Sequence, residues 1–154
     1  RHTRLVRDWS SDVCYSDLAG YHDGFELTLD CPNDRYINDE AICVAAISMF
    51  AKIGVTVNLD AKTKSQHFSE IKEGDANGMT SDMYMLGWGV PTFDSHYVYS
   101  YLFESSGSWN KVNFSNARVD ELVASMGVET NLEKRNAMIA EAWDITQDNV
   151  AYLP

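Results

Sequence analysis

The stretch Gly87-Trp88-Gly89-Val90-Pro91-Thr92-Phe93-Asp94 gathers the side chains best suited to holding a small molecule. An indole offers a flat apolar surface, two glycines let a ligand approach the backbone, and a carboxylate can meet a cation. Trp88, Gly89, Thr92 and Asp94 are the candidate ligand contacts. The competing reading makes Trp88 a core residue and Asp94 the cap of the next helix. Other chemistry is thin. No GxSxG, P-loop or GxGxxG is present, so nucleophile-elbow and phosphate-cradle chemistry have no signal. His22, His67 and His96 are scattered, which points to no metal site and no cofactor. Cys31 and Cys43, with eleven residues between them and no CxxC, read as packed thiols or a disulfide, a choice that geometry must make. Glu141 and Asp144, three apart on a helix, could share a face. That pair, like Asp120-Glu121 and Glu129, reads as solvated surface. The Asn113-Phe114-Ser115 triplet is a glycosylation acceptor only in a eukaryotic secretory setting.

Those residues need elements to position them. Phe25 to Asp30 alternates apolar and polar, the mark of a strand with one face buried. Cys31-Pro32-Asn33-Asp34 breaks it with turn chemistry. Asn38 is placed to cap a helix running to Ile53, with Asp39 and Glu40 in its first turn. Ala41, Ile42, Ala45, Met49 and Ile53 predict its buried stripe. Gly54 sits where a left-handed residue ends a helix. Val55 to Leu59 alternates again, and strand, helix, strand within about 35 residues predicts a crossover with parallel strands. A short helix is expected over Ser65–Glu73, with Phe68 and Ile71 on one side, then a loop at Gly74–Gly78. Met83 to Leu86 reads as a third strand, central in the sheet because it is continuously apolar. The Gly87–Asp94 loop leaves that strand where ligands of open α/β sheets bind. Asp94 or Ser95 caps a helix holding Val98, Tyr101, Leu102 and Phe103. Helices follow over Ala117–Met126 and from Asn131 or Leu132 to about Gln147, the last with Met138, Ile139, Ala142 and Ile145 inside.

The chain has 154 residues, 45% of them apolar and 23% charged, within the globular range. Its net charge of −11 argues against nucleic acid or an anionic membrane surface as partner, since phosphate binding needs concentrated positive charge. No apolar stretch approaches the roughly 20 residues of a spanning helix. Residues 8–18, Asp8-Trp9-Ser10-Ser11-Asp12-Val13-Cys14-Tyr15-Ser16-Asp17-Leu18, have neither helical nor strand period. They resemble the translation of a common sequencing-library adapter, from which a single base change at the codon for Tyr15 separates them. Residues 1–18 are therefore expected to be a non-native, disordered tail, excluded from fold reasoning. Setting them aside removes Arg1, Arg4 and Arg7 with Asp8, Asp12 and Asp17, so the acidic balance is unchanged. Residues 19–154 read as a piece of something longer.

That remainder resembles the extracytoplasmic solute-binding proteins of the peptide, oligopeptide and nickel ABC importers, the family 5 solute-binding proteins. The resemblance is carried by Ala19-Gly20-Tyr21, Gly24 to Leu29, Asn33 to Tyr36, Ala51 to Val57 and Leu86-Gly87-Trp88. It continues through Phe114-Ser115-Asn116, Val119-Asp120, Lys134-Arg135, Ala140-Glu141-Ala142 and Asp148 to Pro154. It implies an α/β fold, a partial lobe of a type II periplasmic-binding-protein-like architecture with a parallel βαβ core and flanking helices. Residues 19–154 would be most of the latter part of the second lobe. The implied function is capture of a solute, foremost a peptide, between two lobes and delivery to ABC permease subunits. The implied protein is monomeric, extracytoplasmic and non-catalytic, with a membrane anchor left open. One departure stands out. The resemblance implies an Asp three residues after the loop tryptophan, pairing with the ligand's amino group, and that position is Pro91; Asp94 falls later in the same loop. The rival readings are a carboxylate-dependent hydrolase, which needs two acids converging with separated pKa values, and a non-functional truncated product.

Overall fold

A computed structural model describes residues 20, 21, 23–73 and 81–152. The adapter-like segment, His22, the expected Gly74–Gly78 loop and the final Leu153-Pro154 lie outside the described residues. The described residues divide into two compact units, one of those up to 67 with 81–85, the other of residues 68–73 and 86–152.

In the first unit the alternating segments are strands. β1 (Phe25–Pro32) and β2 (Val55–Lys62) pair in parallel, from Phe25↔Val55 to Pro32↔Lys62, as the crossover reading requires. α1 (Asp39–Ala51) connects them. Gly54 takes a φ of 79° at its end, and Gly24, φ 75°, lies so close that a β-carbon there would fall 2.0 Å from the Gly54 carbonyl oxygen. Only glycine fits that approach. Leu29, Cys31, Cys43, Val55 and Val57 form the buried cluster, with Ile47, Phe50, Met83 and Met85 packed on it. Each aliphatic side chain removed from water contributes roughly 1.5–3 kcal/mol.

Four expectations change here. β1 does not stop at Asp30. The backbone groups of Thr28 and Asp30 point toward the β3 side: Thr28 N–H donates to Asp82 Oδ2 and Asp30 O accepts from Met85 N–H. Pro32 faces the same way, beyond the last β3 rung, where its missing N–H costs no hydrogen bond. Next, β3 is only Met83–Tyr84, and the sheet order is β2-β1-β3, so β1 and not the third strand is central among the described residues. The apolar run at 83–86 reflects packing of Met83 and Met85 on the cluster, not a central place. Third, Asn38 stands before α1 in the left-handed region, φ 60°, without a side-chain cap bond. Asp39 supplies that chemistry, accepting from the N–H groups of Arg35, Tyr36 and Glu40, each at 2.9 Å. Fourth, the stripe predicted to be buried on α1 faces outward, with Met49 65% and Ile42 51% exposed. Cys43, Ile47 and Phe50 face the sheet instead, and the reason is covalent. Cys43 is disulfide-bonded to Cys31 of β1, with S–S 2.07 Å and Cα–Cα 6.6 Å. That bond fixes which of two comparably apolar faces turns inward.

The helix expected at Ser65–Glu73 is α2 (Lys64–Glu73). It crosses from the first unit into the second after His67. In the second unit α3 (Ser95–Val98) runs on as a π-helical turn, Tyr99–Phe103, followed by α4 (Ala117–Met126) and α5 (Leu132–Asp148). Asn116 and Asn131 cap the last two, accepting from Val119 N–H at 3.2 Å and Lys134 N–H at 3.0 Å. Val119, Leu122, Val123 and Met126 recur at helical spacing and pack with Tyr99, Leu102, Phe103 and Ala142. Met138, Ile139 and Ile145 pack on that cluster as their spacing predicts. Tyr101 is exposed, while Tyr99 is buried. The i to i+5 bond from Glu104 N–H to Tyr99 O, 2.8 Å, marks the widened turn that shifts the buried face.

Candidate functional site

Residues 87–94 follow β3 in the chain and have no regular structure, so their backbone is shaped by local bonds. Phe93 N–H donates to Val90 O at 3.0 Å, closing a turn around Pro91 and Thr92. Asp94 begins α3, its Oδ1 accepting from His96 N–H at 2.8 Å. The same oxygen accepts from an Arg135 guanidinium nitrogen at 2.9 Å, and Arg135 Nε donates to Met126 O at 2.9 Å. The Arg135 hydrogen bond first, then the His96 N–H, hold the Asp94 carboxyl below its ordinary 3.8. Asp94 is therefore a helix cap and an ion-pair partner, half-exposed.

Trp88 is half-buried in a ring cluster, with centroids 6.0 Å from Tyr97, 5.9 Å from Tyr101 and 5.8 Å from Trp109. Its indole N–H is buried with no hydrogen-bond partner among the described residues. Lys72 Nζ sits 5.9 Å from the Trp109 ring centroid, and Lys111 Nζ donates to Lys72 O at 3.4 Å. Gly89 and Thr92 are exposed, and a β-carbon on Gly89 would meet nothing within 4 Å. The four candidates thus occupy one loop, with Trp88 anchored in rings and Asp94 anchored by charge. Pattern reasoning missed Arg135, forty-one residues from Asp94, and the rings of Tyr97 and Trp109. It also passed over Phe93, which is 97% exposed at φ 51°. A large apolar residue between a proline turn and a cap was the available signal.

The remaining candidates have structural roles. His67 is buried in the first unit, Nδ1 2.6 Å from Asp30 Oδ1 and Nε2 2.9 Å from Met85 O. A carbonyl only accepts, so Nε2 donates there. Lys62 Nζ adds an ion pair to Asp30 Oδ2 at 3.2 Å. Glu141 is bound by Arg118 at 2.7 and 3.0 Å, and Arg118 also meets Glu121 at 2.7 Å. Asp39, Asp94 and Glu141 are all shifted down by hydrogen bonds to their ionised forms. A general acid needs the opposite shift. No group of three or more metal-binding side chains occurs among the described residues. Nor is any helix there long and apolar enough to cross a membrane.

No known family profile matches the chain, and no curated protein matches it. Solved structures do match. The periplasmic binding protein DppA of Helicobacter pylori, in complex with peptide STSA, superposes with a TM-score of 0.77 at 19% identity, over 90% of this chain and 27% of that one. The Escherichia coli murein tripeptide binding protein MppA gives 0.77 at 23% identity, over 88% of this chain and 26% of its own. Haemophilus influenzae OppA, in complex with RPPGFSPFR, gives 0.73 at 19%, over 84% and 25%. The chain spans about a quarter of the length of these proteins. The resemblance read from the residues and the likeness of fold point to the same group of proteins. The chain thus has an α/β fold that matches part of a lobe of the periplasmic-binding-protein architecture seen in these solved proteins.

Proposed function

We propose that this chain belongs to the solute-binding component of an ABC import system and contributes the 87–94 loop to its ligand site. The supporting observation is the agreement between fold and loop. The solved neighbours are binding proteins, two of them holding peptides, and the Trp88 loop follows a parallel strand, where open α/β sheets receive ligands. Peptides are the proposed solutes, with Trp88, Gly89, Thr92 and Asp94 as contacts. Two lobes would close on the solute and present it to a membrane permease. The Cys31–Cys43 disulfide suits an extracytoplasmic location, because such bonds persist in oxidising compartments. The carboxylate-hydrolase reading gains no support from the described residues, where Asp39, Asp94 and Glu141 are shifted down by hydrogen bonds, opposite to the shift a general acid needs.

The Trp88 indole N–H resonance, assigned by its loss in Trp88→Phe, gives the test. Titration with a di- to pentapeptide mixture should move it saturably, and glucose should not. A resonance unmoved by peptides in the folded chain would overturn the reading. For the transport role, permease and ATPase genes beside this coding sequence are expected, and their absence would count against import.

A further inference from the structure

The 87–94 loop combines a balanced charge with an unprotected aromatic ring. Asp94 is its only acidic residue, and Oδ1 already holds the His96 N–H and the Arg135 guanidinium, at 2.8 and 2.9 Å. Arg135 is itself fixed to Met126 O at 2.9 Å, so the positive charge stays beside the carboxylate. Lys72 Nζ, 5.9 Å from the Trp109 ring centroid, and Lys111, which donates to Lys72 O, add positive charge beside Trp109 and would disfavour an ammonium group there. Phe93, by contrast, is 97% exposed and carries a φ of 51°. A bulky residue rarely adopts that region, and an aromatic ring in water forgoes its burial. Both unfavourable features fall on one residue, next to the cap, in the loop proposed to meet the solute.

We infer that this site recognises an apolar, preferably aromatic, side chain through Phe93 and Trp88. The backbone it takes at that point is uncharged, an interior or blocked stretch of peptide and not a free amino terminus. The inference rests on the solute-binding reading and narrows its ligand class.

Three C-amidated tripeptides separate the outcomes when titrated to millimolar concentration into the 154-residue chain, with the Trp88 indole and Phe93 ring resonances followed by NMR. Acetylated and free-amino Ala-Phe-Ala should bind within about twofold of each other, and acetylated Ala-Ala-Ala at least about fivefold more weakly, which is the effect of about 1 kcal/mol of ring contact. Phe93→Gly, which keeps the backbone conformation without strain, should weaken the acetylated phenylalanine peptide about fivefold and leave the alanine peptide unchanged. Arg135→Gln, which uncovers the Asp94 charge, should shift preference toward the free amine. Binding of Ala-Phe-Ala about tenfold weaker on acetylation, or unaffected by Phe93→Gly, would overturn the inference and leave the solute-binding reading standing. No saturable movement with any of the three, in a chain whose amide spectrum remains folded, would overturn both.

Discussion

Asp30, His67 and Lys62 form the most consequential polar contact of the first unit. Asp30 and His67 are buried, the ring sits 2.6 Å from one carboxylate oxygen and the ammonium 3.2 Å from the other. Removing one partner of a buried ionic group leaves the others without compensation, which costs about 3–5 kcal/mol. Asp30→Ala should therefore lower the urea unfolding free energy by that amount, and a loss below about 1 kcal/mol would show the group to be dispensable. Asp39 acts differently. The N–H of Tyr36, the leading cause, with those of Arg35 and Glu40, lowers its pKa from the ordinary 3.8. A depressed folded pKa gives stability that is complete above the unfolded value and lost as pH falls through the folded one. Asp39→Asn should be less stable than the parent at pH 6. The difference should shrink as pH falls below about 4, the unfolded carboxylate range; a gap constant from pH 6 to pH 2 would mean that the charge is irrelevant. Tyr99, pushed up to about 12 chiefly by burial, should remain un-ionised where exposed tyrosines titrate.

At the scale of elements, α1 is the informative case. Apolar residues surround it, so its sequence admits two inward faces, and the link to β1 selects the face carrying Cys43, Ile47 and Phe50. The sulfurs are themselves enclosed, with Met85 Sδ 3.6 Å from Cys43 Sγ and 3.9 Å from Cys31 Sγ. The bond spans a sequence separation of 12, and closing so short a loop restricts the unfolded chain by about 3 kcal/mol. Cys31→Ser with Cys43→Ser should lose about that much stability. Amide hydrogen exchange should quicken over Asp39–Ala51 more than over β1 and β2. Equal quickening in all three would show that the bond does not set the helix face. By contrast α4 and α5 carry one apolar stripe each, with asparagine caps, and need no such constraint.

For the whole molecule, the chain spans 25–27% of the length of the binding proteins it superposes on. A solute held by this stretch would meet one loop, whereas tight small-molecule sites enclose 70–90% or more of the ligand surface. Exposed ion pairs contribute roughly 0–1 kcal/mol, and micromolar affinity requires about 8 kcal/mol. Calorimetry of the 154-residue chain with di- to pentapeptides at micromolar concentration should accordingly give no saturable heat, with binding visible only in the millimolar range. A micromolar isotherm abolished by Asp94→Ala would show that this loop suffices alone and that enclosure is unnecessary.

Local chemistry was enough for what depends on neighbours in the chain. Alternation in Phe25–Asp30 and Val55–Leu59 specified two strands, and their separation by one helix specified parallel pairing. Asn116, Asn131 and the apolar spacing of 119–126 specified the last two helices closely. The candidate loop was legible too, as was the double possibility of Asp94 as cap and charge. What escaped the sequence depends on partners far along the chain. Arg135 balances Asp94 from another helix, His67 takes the Met85 carbonyl where β3 ends, and β1 is central because two later strands flank it. The inward face of α1 was undecidable from periodicity, since a helix apolar all round has no preferred side. A covalent bond between residues on separate elements decided it, and only the tertiary structure brings those two sulfurs together.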